Sequence, residues 1–140
     1  MKNTDPLKQS MKKSIWTGIF ALYAGIIFYA SIYPVQSGAP LVSVPGMDKV
    51  VHAGEFTAFA LIGYRTLIHY VGRAKSYLAV AIVSLFYGGL TELTQLFIPY
   101  RSASAVDWVA DLIGVAIGLI ILIFFRRWKA KYKQTNSGTN

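Results

Sequence analysis

The chain has 140 residues, 54% of them hydrophobic and only 14% charged, with a formal net charge of +8. Soluble domains average about 25% charged residues, so this composition, with a mean hydropathy of +0.45, excludes an ordinary soluble domain and points to lipid. The length suits a single domain, 1–140, and leaves no room for a soluble domain beside several membrane spans; with no cysteine, disulfides and thiol chemistry are excluded.

Lys12 and Lys13 precede the first apolar run, as in a signal peptide. The run from Ile15 to Tyr33 is uncharged throughout, longer than the roughly 7–15 residues of a signal core, and is read as a retained helix. A bilayer core needs about 20 apolar residues per helix, and three more segments reach that length: 50–70, 77–97 and 106–125. The expected fold is therefore all-α, a polytopic membrane protein of four transmembrane helices. Pro34–Lys49, with Gly38, Pro40, Pro45 and Gly46, and Ile98–Ala105, with Pro99 and Arg101, read as loops. Val71–Ser76 reads as a tight polar turn, and 133–140 as a flexible tail.

Orientation follows from the positive charges. Lys2, Lys8, Lys12, Lys13, Arg73, Lys75, Arg126, Arg127, Lys129, Lys131 and Lys133 fall on one side, against Lys49 and Arg101 on the other. Arg65 lies near the basic end of the second helix and can snorkel there. This bias predicts N- and C-termini in the cytoplasm and a multi-pass protein of the cell membrane. The basic charge then marks topology and contact with anionic lipid, not nucleic acid.

With that orientation, Asp48, Glu55, Glu92, Asp107 and Asp111 all fall at the outer ends of helices two to four, together with His52, Gln95, Lys49 and Arg101. At about 1.5 Å per residue, Glu55, Glu92 and Asp111 each lie about 7–8 Å inside a helix end. A charge facing lipid at depth costs up to about 3 kcal/mol on insertion scales, which favours an outward-open polar pocket. Asp48 and His52, His52 and Glu55, Glu92 and Gln95, and Asp107 and Asp111 are paired at three or four residues, each pair on one helix face. Gly114 and Gly118 make a G-x-x-x-G packing face below Asp111.

These residues resemble the VanZ-like family of small bacterial membrane proteins: Asp48-Lys49-x-x-His52, then Glu92-x-x-Gln95, Arg101, and Asp107-x-x-x-Asp111-x-x-Gly114-x-x-x-Gly118. The resemblance runs from about Pro34 to Phe125. That family is named for a protein linked to low-level resistance to the glycopeptide teicoplanin and has no settled biochemical activity, so the resemblance implies a cell-envelope membrane protein and motif positions without assigned roles. Members of that family usually carry Asn where this chain has Asp111; the extra carboxylate raises the local negative charge.

Asp48 suits a helix N-cap as well as a site role. His52, with Glu55 or Glu92, suits acid–base work. Arg101 with Lys49 suits recognition of a phosphate or carboxylate, with Ser102 and Ser104 adding hydroxyls; an Arg101–Asp107 bridge would instead fix the loop. No H-E-x-x-H or similar spacing occurs, so no metal and no cofactor is assigned. The leading expectation is a pocket formed by Asp48, Lys49, His52, Glu92, Gln95, Arg101, Ser102, Asp107 and Asp111 for an anionic lipid or lipid-linked cell-wall precursor. An intramembrane acid–base enzyme and a small cation- or proton-coupled transporter are the alternatives, and a homo-oligomer is left open.

Overall fold

The computed structural model describes residues 5–33, 46–99 and 103–137, with side chains through Thr135. Within them the chain forms four helices: α1 (Pro6–Ile32), α2 (Met47–Leu67), α3 (Gly72–Gln95) and α4 (Ala105–Ser137). Among the described residues there is no strand.

The helices run past the apolar segments that signal them. α1 starts at Pro6, nine residues before the apolar run, where Asp5 accepts a 3.0 Å hydrogen bond from the Leu7 N–H and Pro6 takes the first helical turn. The basic segment of Lys8, Lys12 and Lys13 is therefore helical. At the other end of the chain, residues 133–137 continue α4 and do not form the flexible tail expected there. The turn expected at Val71–Ser76 is shifted: the α2–α3 connection is Ile68–Val71, and α3 has already begun at Gly72, whose φ of 76° suits glycine. A hydropathy pattern registers lipid contact, and these segments are helices in or beyond the interface.

α1, α3 and α4 are long and apolar enough to cross a membrane. α2 is not among them, because it carries Asp48, Lys49, His52, Glu55 and Arg65 within 21 residues. It packs against all three other helices, whereas α1 and α4 do not meet. α2 thus runs between the three helices that are long and apolar enough to cross, with its polar side chains partly shielded by them.

The packing is inverted relative to a soluble bundle. Large apolar side chains such as Leu22, Phe86, Leu93 and Ile120 are exposed, while α3 buries Ser76, Val80, Ser84, Gly88, Thr91, Glu92 and Gln95 along one face. The apolar core is small: Ile27, Phe56, Phe59, Ala60, Val80 and Val115. Phe59 stacks on Tyr87 at 4.9 Å between ring centres. Lipid tails are as apolar as leucine, so close backbone approach holds such a bundle together.

That approach is closest between α2 and α4. A Cβ on Gly114 would lie 2.2 Å from the Ala53 carbonyl oxygen, and one on Gly118 2.9 Å from both Ala60 Cβ and the Thr57 carbonyl oxygen. The Thr57 hydroxyl donates to the Gly114 carbonyl at 2.9 Å and lies 2.7 Å from its own helix's Ala53 carbonyl. Ala53, Thr57 and Ala60 are thus the small residues opposite the glycines.

Basic and aromatic groups gather at one end. Lys13 lies over the Tyr70 ring, Arg65 over Trp16, and Arg126 over Tyr77. The Thr66 hydroxyl donates to the Trp16 carbonyl at 2.9 Å. The start of α1, the end of α2 and the start of α3 belong to this end, and Asp48, Glu55, Glu92, Asp107 and Asp111 belong to the other.

Gly114→Ala is expected to lower the thermal stability of the detergent-solubilised protein by at least about 1–3 kcal/mol, the usual range for overpacking. Gly18→Ala, where a new Cβ meets nothing within 4 Å, should be neutral or stabilising by up to about 1 kcal/mol. Equal melting temperatures for the two variants would contradict the α2–α4 contact. Ser84 is fully buried and its hydroxyl lacks a hydrogen-bond partner among the described residues; Ser84→Ala should therefore not destabilise, and a clear drop in melting temperature would reveal a partner for it.

Candidate functional site

The N-terminal end of α2, the C-terminal end of α3 and the N-terminal end of α4 meet at the acidic end of the bundle. His52 projects from α2 and its Nδ1 lies 2.9 Å from Asp111 Oδ1 on α4. An ionised carboxylate only accepts, so beside ionised Asp111 the ring donates through Nδ1–H and its Nε2 is left available. Asp111 is completely buried and His52 largely so. Asp111 Oδ2 sits where a Cβ on Gly88 would go, at 2.9 Å, with Trp108 also close. Gly88 therefore makes room for the carboxylate.

Glu92, from α3, is also buried. Its Oε2 accepts the backbone N–H of Ser104 at 2.8 Å. Ser104 precedes the first residue of α4, and its carbonyl and hydroxyl accept from the Asp107 N–H at 3.0 and 3.4 Å. It acts as the N-cap of α4, and Glu92 lies at the positive end of that helix. The carboxylate thus ties α3 to the entry of α4. Ser104-x-x-Asp107 has the spacing of a capping box, a signal in the sequence that identifies the cap.

Lys49 bridges the rim. Its Nζ is 2.8 Å from Asp48 Oδ2 and 3.5 Å from Asp107 Oδ1. The longer contact is an ion pair without an aligned hydrogen bond, since Asp107 Oδ1 has no hydrogen-bond partner among the described residues. Asp48 is exposed, and Gly46, at φ 80°, holds the N-cap position of α2. The cap reading of Asp48 is corrected accordingly: it stands in the first turn, where an acid still favours the helix dipole.

The fold brings His52, Glu92, Asp107 and Asp111 together, with Lys49 beside them. Gln95 is buried one turn beyond Glu92. Glu55 is half-buried, and its backbone carbonyl accepts the Tyr23 hydroxyl at 3.1 Å; it is outside the group whose side-chain ligand atoms converge. Arg101 and Ser102 lie outside the described residues. No metal motif exists along any one helix, yet His52, Glu92 and Asp107 each offer a ligand atom within 4.8 Å of the others. They come from three different helices, an arrangement that single-helix spacing does not register.

Beside this cluster is a cavity of about 330 Å³ lined by Gly89, Glu92, Leu93, Leu96, Ala103, Ser104, Ala105 and Trp108. Its wall is apolar except at Glu92 and Ser104. The Trp108 indole N–H donates to the Leu85 carbonyl at 3.2 Å, which fixes the ring against α3.

The VanZ/LLP1 family model matches residues 6–126, which include α1 to α3, the greater part of α4 and every described residue of the cluster. The chain belongs to the VanZ/LLP1 family. It is also similar to an uncharacterized protein, C11E3.10, of the fission yeast Schizosaccharomyces pombe (strain 972 / ATCC 24843), with 30% identity over 89 residues. That alignment covers 64% of this chain and 54% of the relative, so the chain spans about half the length of the yeast protein. No solved structure matches the chain.

Asp111→Ala is expected to cost about 1–3 kcal/mol of thermal stability, because His52 would lose its partner in a buried setting. Lys49→Ala, at the exposed rim, should leave the melting temperature unchanged. If the two variants melt alike, the His52–Asp111 pair does not hold the helices together.

Proposed function

We propose that this VanZ/LLP1 membrane protein binds a lipid-anchored molecule with a phosphate or carboxylate headgroup at the acidic end of its bundle. One observation carries the reading: Glu92 is shared between the apolar cavity and the polar cluster. An amphipathic ligand with its chain along Leu93, Leu96 and Trp108 would bring its headgroup to Glu92, His52 and Asp107. Lys49, half-exposed beside Asp107, would meet the anionic group. Arg101 and Ser102, which immediately precede the cavity-lining Ala103 in sequence, would add charge-assisted and hydroxyl contacts.

In this reading the cluster faces outward and both termini are cytoplasmic, in keeping with the distribution of Lys and Arg. The ligand class includes anionic lipids and lipid-linked wall precursors. A link to teicoplanin susceptibility would follow from the second of these.

A second reading is favoured by the His52–Asp111 pair. A histidine held by a buried carboxylate, with its other nitrogen available and further carboxylates nearby, is suited to proton transfer. The protein would then act on the bound headgroup, with His52 and Glu92 as the exchanging groups.

Native mass spectrometry of the detergent-solubilised protein is expected to reveal a retained phosphate- or carboxylate-bearing lipid. Leu96→Glu, which puts a charge in the cavity wall, should weaken retention about tenfold or more, equivalent to about 1.4 kcal/mol. Equal retention by the wild type and this variant would sink the binding reading. Turnover of the retained lipid that is abolished in His52→Ala, with binding preserved, would favour the enzyme. Orientation has its own check in this cysteine-free chain: Pro99→Cys should react with an impermeant external thiol reagent in intact cells, and Lys75→Cys should not.

A further inference from the structure

We propose that His52, Glu92 and Asp107 bind one divalent metal ion of the zinc or manganese class, with Asp111 orienting the His52 ring. The proposal concerns the same three residues to which the lipid-headgroup reading brings its ligand, but its donor set belongs wholly to the chain, so it can be tested without a lipid.

The donors converge from α2, α3 and α4, one ligand atom each, within 4.8 Å of one another. Metal–ligand bonds of about 2.0–2.2 Å put tetrahedral ligands about 3.3–3.6 Å apart, so the donor atoms must draw together by roughly an ångström to close the set. Three protein ligands leave at least one coordination position for an outside oxygen, the pattern of reactive rather than structural metal sites.

A second observation points to a cation independently of the spacing. Glu92 is only 7% exposed, and its Oε1 has no hydrogen-bond partner among the described residues. Asp107 Oδ1 and Asp111 Oδ2 are in the same condition, except for the 3.5 Å approach of Lys49 to Asp107. A buried carboxylate oxygen that has lost water needs a donor or a cation. Glu92 and Asp107 belong to the converging set, and Lys49, the cation beside them among the described residues, is shared with Asp48. A divalent ion balances the remainder.

The histidine is arranged as metal-binding histidines are. Ligating imidazoles donate their second N–H to a carboxylate that fixes ring and tautomer, which is the relation of His52 Nδ1 to Asp111 Oδ1. The imidazole selects zinc-class ions over magnesium or calcium, and two carboxylates without thiolate admit manganese as well.

The test uses tag-free protein in dodecyl maltoside, stripped with EDTA and titrated with Co²⁺. The wild type should develop visible d–d absorption that saturates at one equivalent and is displaced by Zn²⁺. His69→Ala, at the basic end, should behave identically. Glu92→Gln and Asp107→Asn should lose the saturable signal, and Asp111→Asn should weaken binding about 10–100-fold. Should those carboxylate variants aggregate, His52→Cys decides. In a chain with no other cysteine, a sulfur-to-cobalt charge-transfer band appears only if position 52 is a ligand. Absence of a saturable signal in the wild type overturns the proposal. So does wild-type-like binding by both Glu92→Gln and Asp107→Asn, or a His52→Cys variant that binds cobalt without the new band.

Discussion

Gly114 has no side chain, and the α2 backbone at Ala53 occupies the space that one would need. This close passage of α2 and α4 governs the rest of the acidic end. One turn above it, the same two helices bring His52 to Asp111; beside it, Thr57 bonds across to the Gly114 carbonyl. Hydrophobic burial gives little reason for two helices to associate in lipid. Short backbone separation, interhelical hydrogen bonds and one buried polar pair take its place. A wider separation would loosen the whole cluster, because the geometry of His52 relative to Glu92 and Asp107 depends on where α2 lies against α4.

The two ends of the bundle solve the problem of charge differently. At the basic end, Lys13, Arg65 and Arg126 spread over aromatic rings and remain in contact with solvent or headgroups. At the acidic end, Glu92 and Asp111 are buried and are answered by a backbone N–H and an imidazole. The first arrangement is inexpensive and common near a membrane interface. The second is costly unless something further balances it, and for that reason it is the part of the molecule that suggests chemistry.

Much of this was legible in the sequence. The helices appear as long apolar runs, and the gathering of acids at one end follows from the charge bias of the connections. The G-x-x-x-G spacing draws attention to Gly114 and Gly118, although their small partners Ala53, Thr57 and Ala60 do not stand out in a helix without a clear pattern. Helix ends were less legible because lysine-rich segments are good helix formers whether or not lipid surrounds them, so α1 and α4 extend beyond the apolar signal. The sequence places His52, Glu92 and Asp107 in one pocket, but the approach of their ligand atoms to within 4.8 Å is not legible there. Spacing along one helix says which side chains share a face, but the neighbours of that face are set by lateral packing. Gly88 was passed over for the same reason, since its value lies in the Asp111 carboxylate that occupies its space.

The composition of α2 bears on how the protein is made. Ribosome-bound insertion machinery releases a segment into lipid when its residues favour hydrocarbon, and each Asp, Lys or Arg at mid-helix opposes release by about 2.5–3.5 kcal/mol. α2, with its acids, histidine and Arg65, is poorly suited to leave alone. It is synthesised before α4, the helix that supplies its closest contact and the partner of His52. The second helix therefore depends on the fourth, and the site comes into being only once α4 has been made.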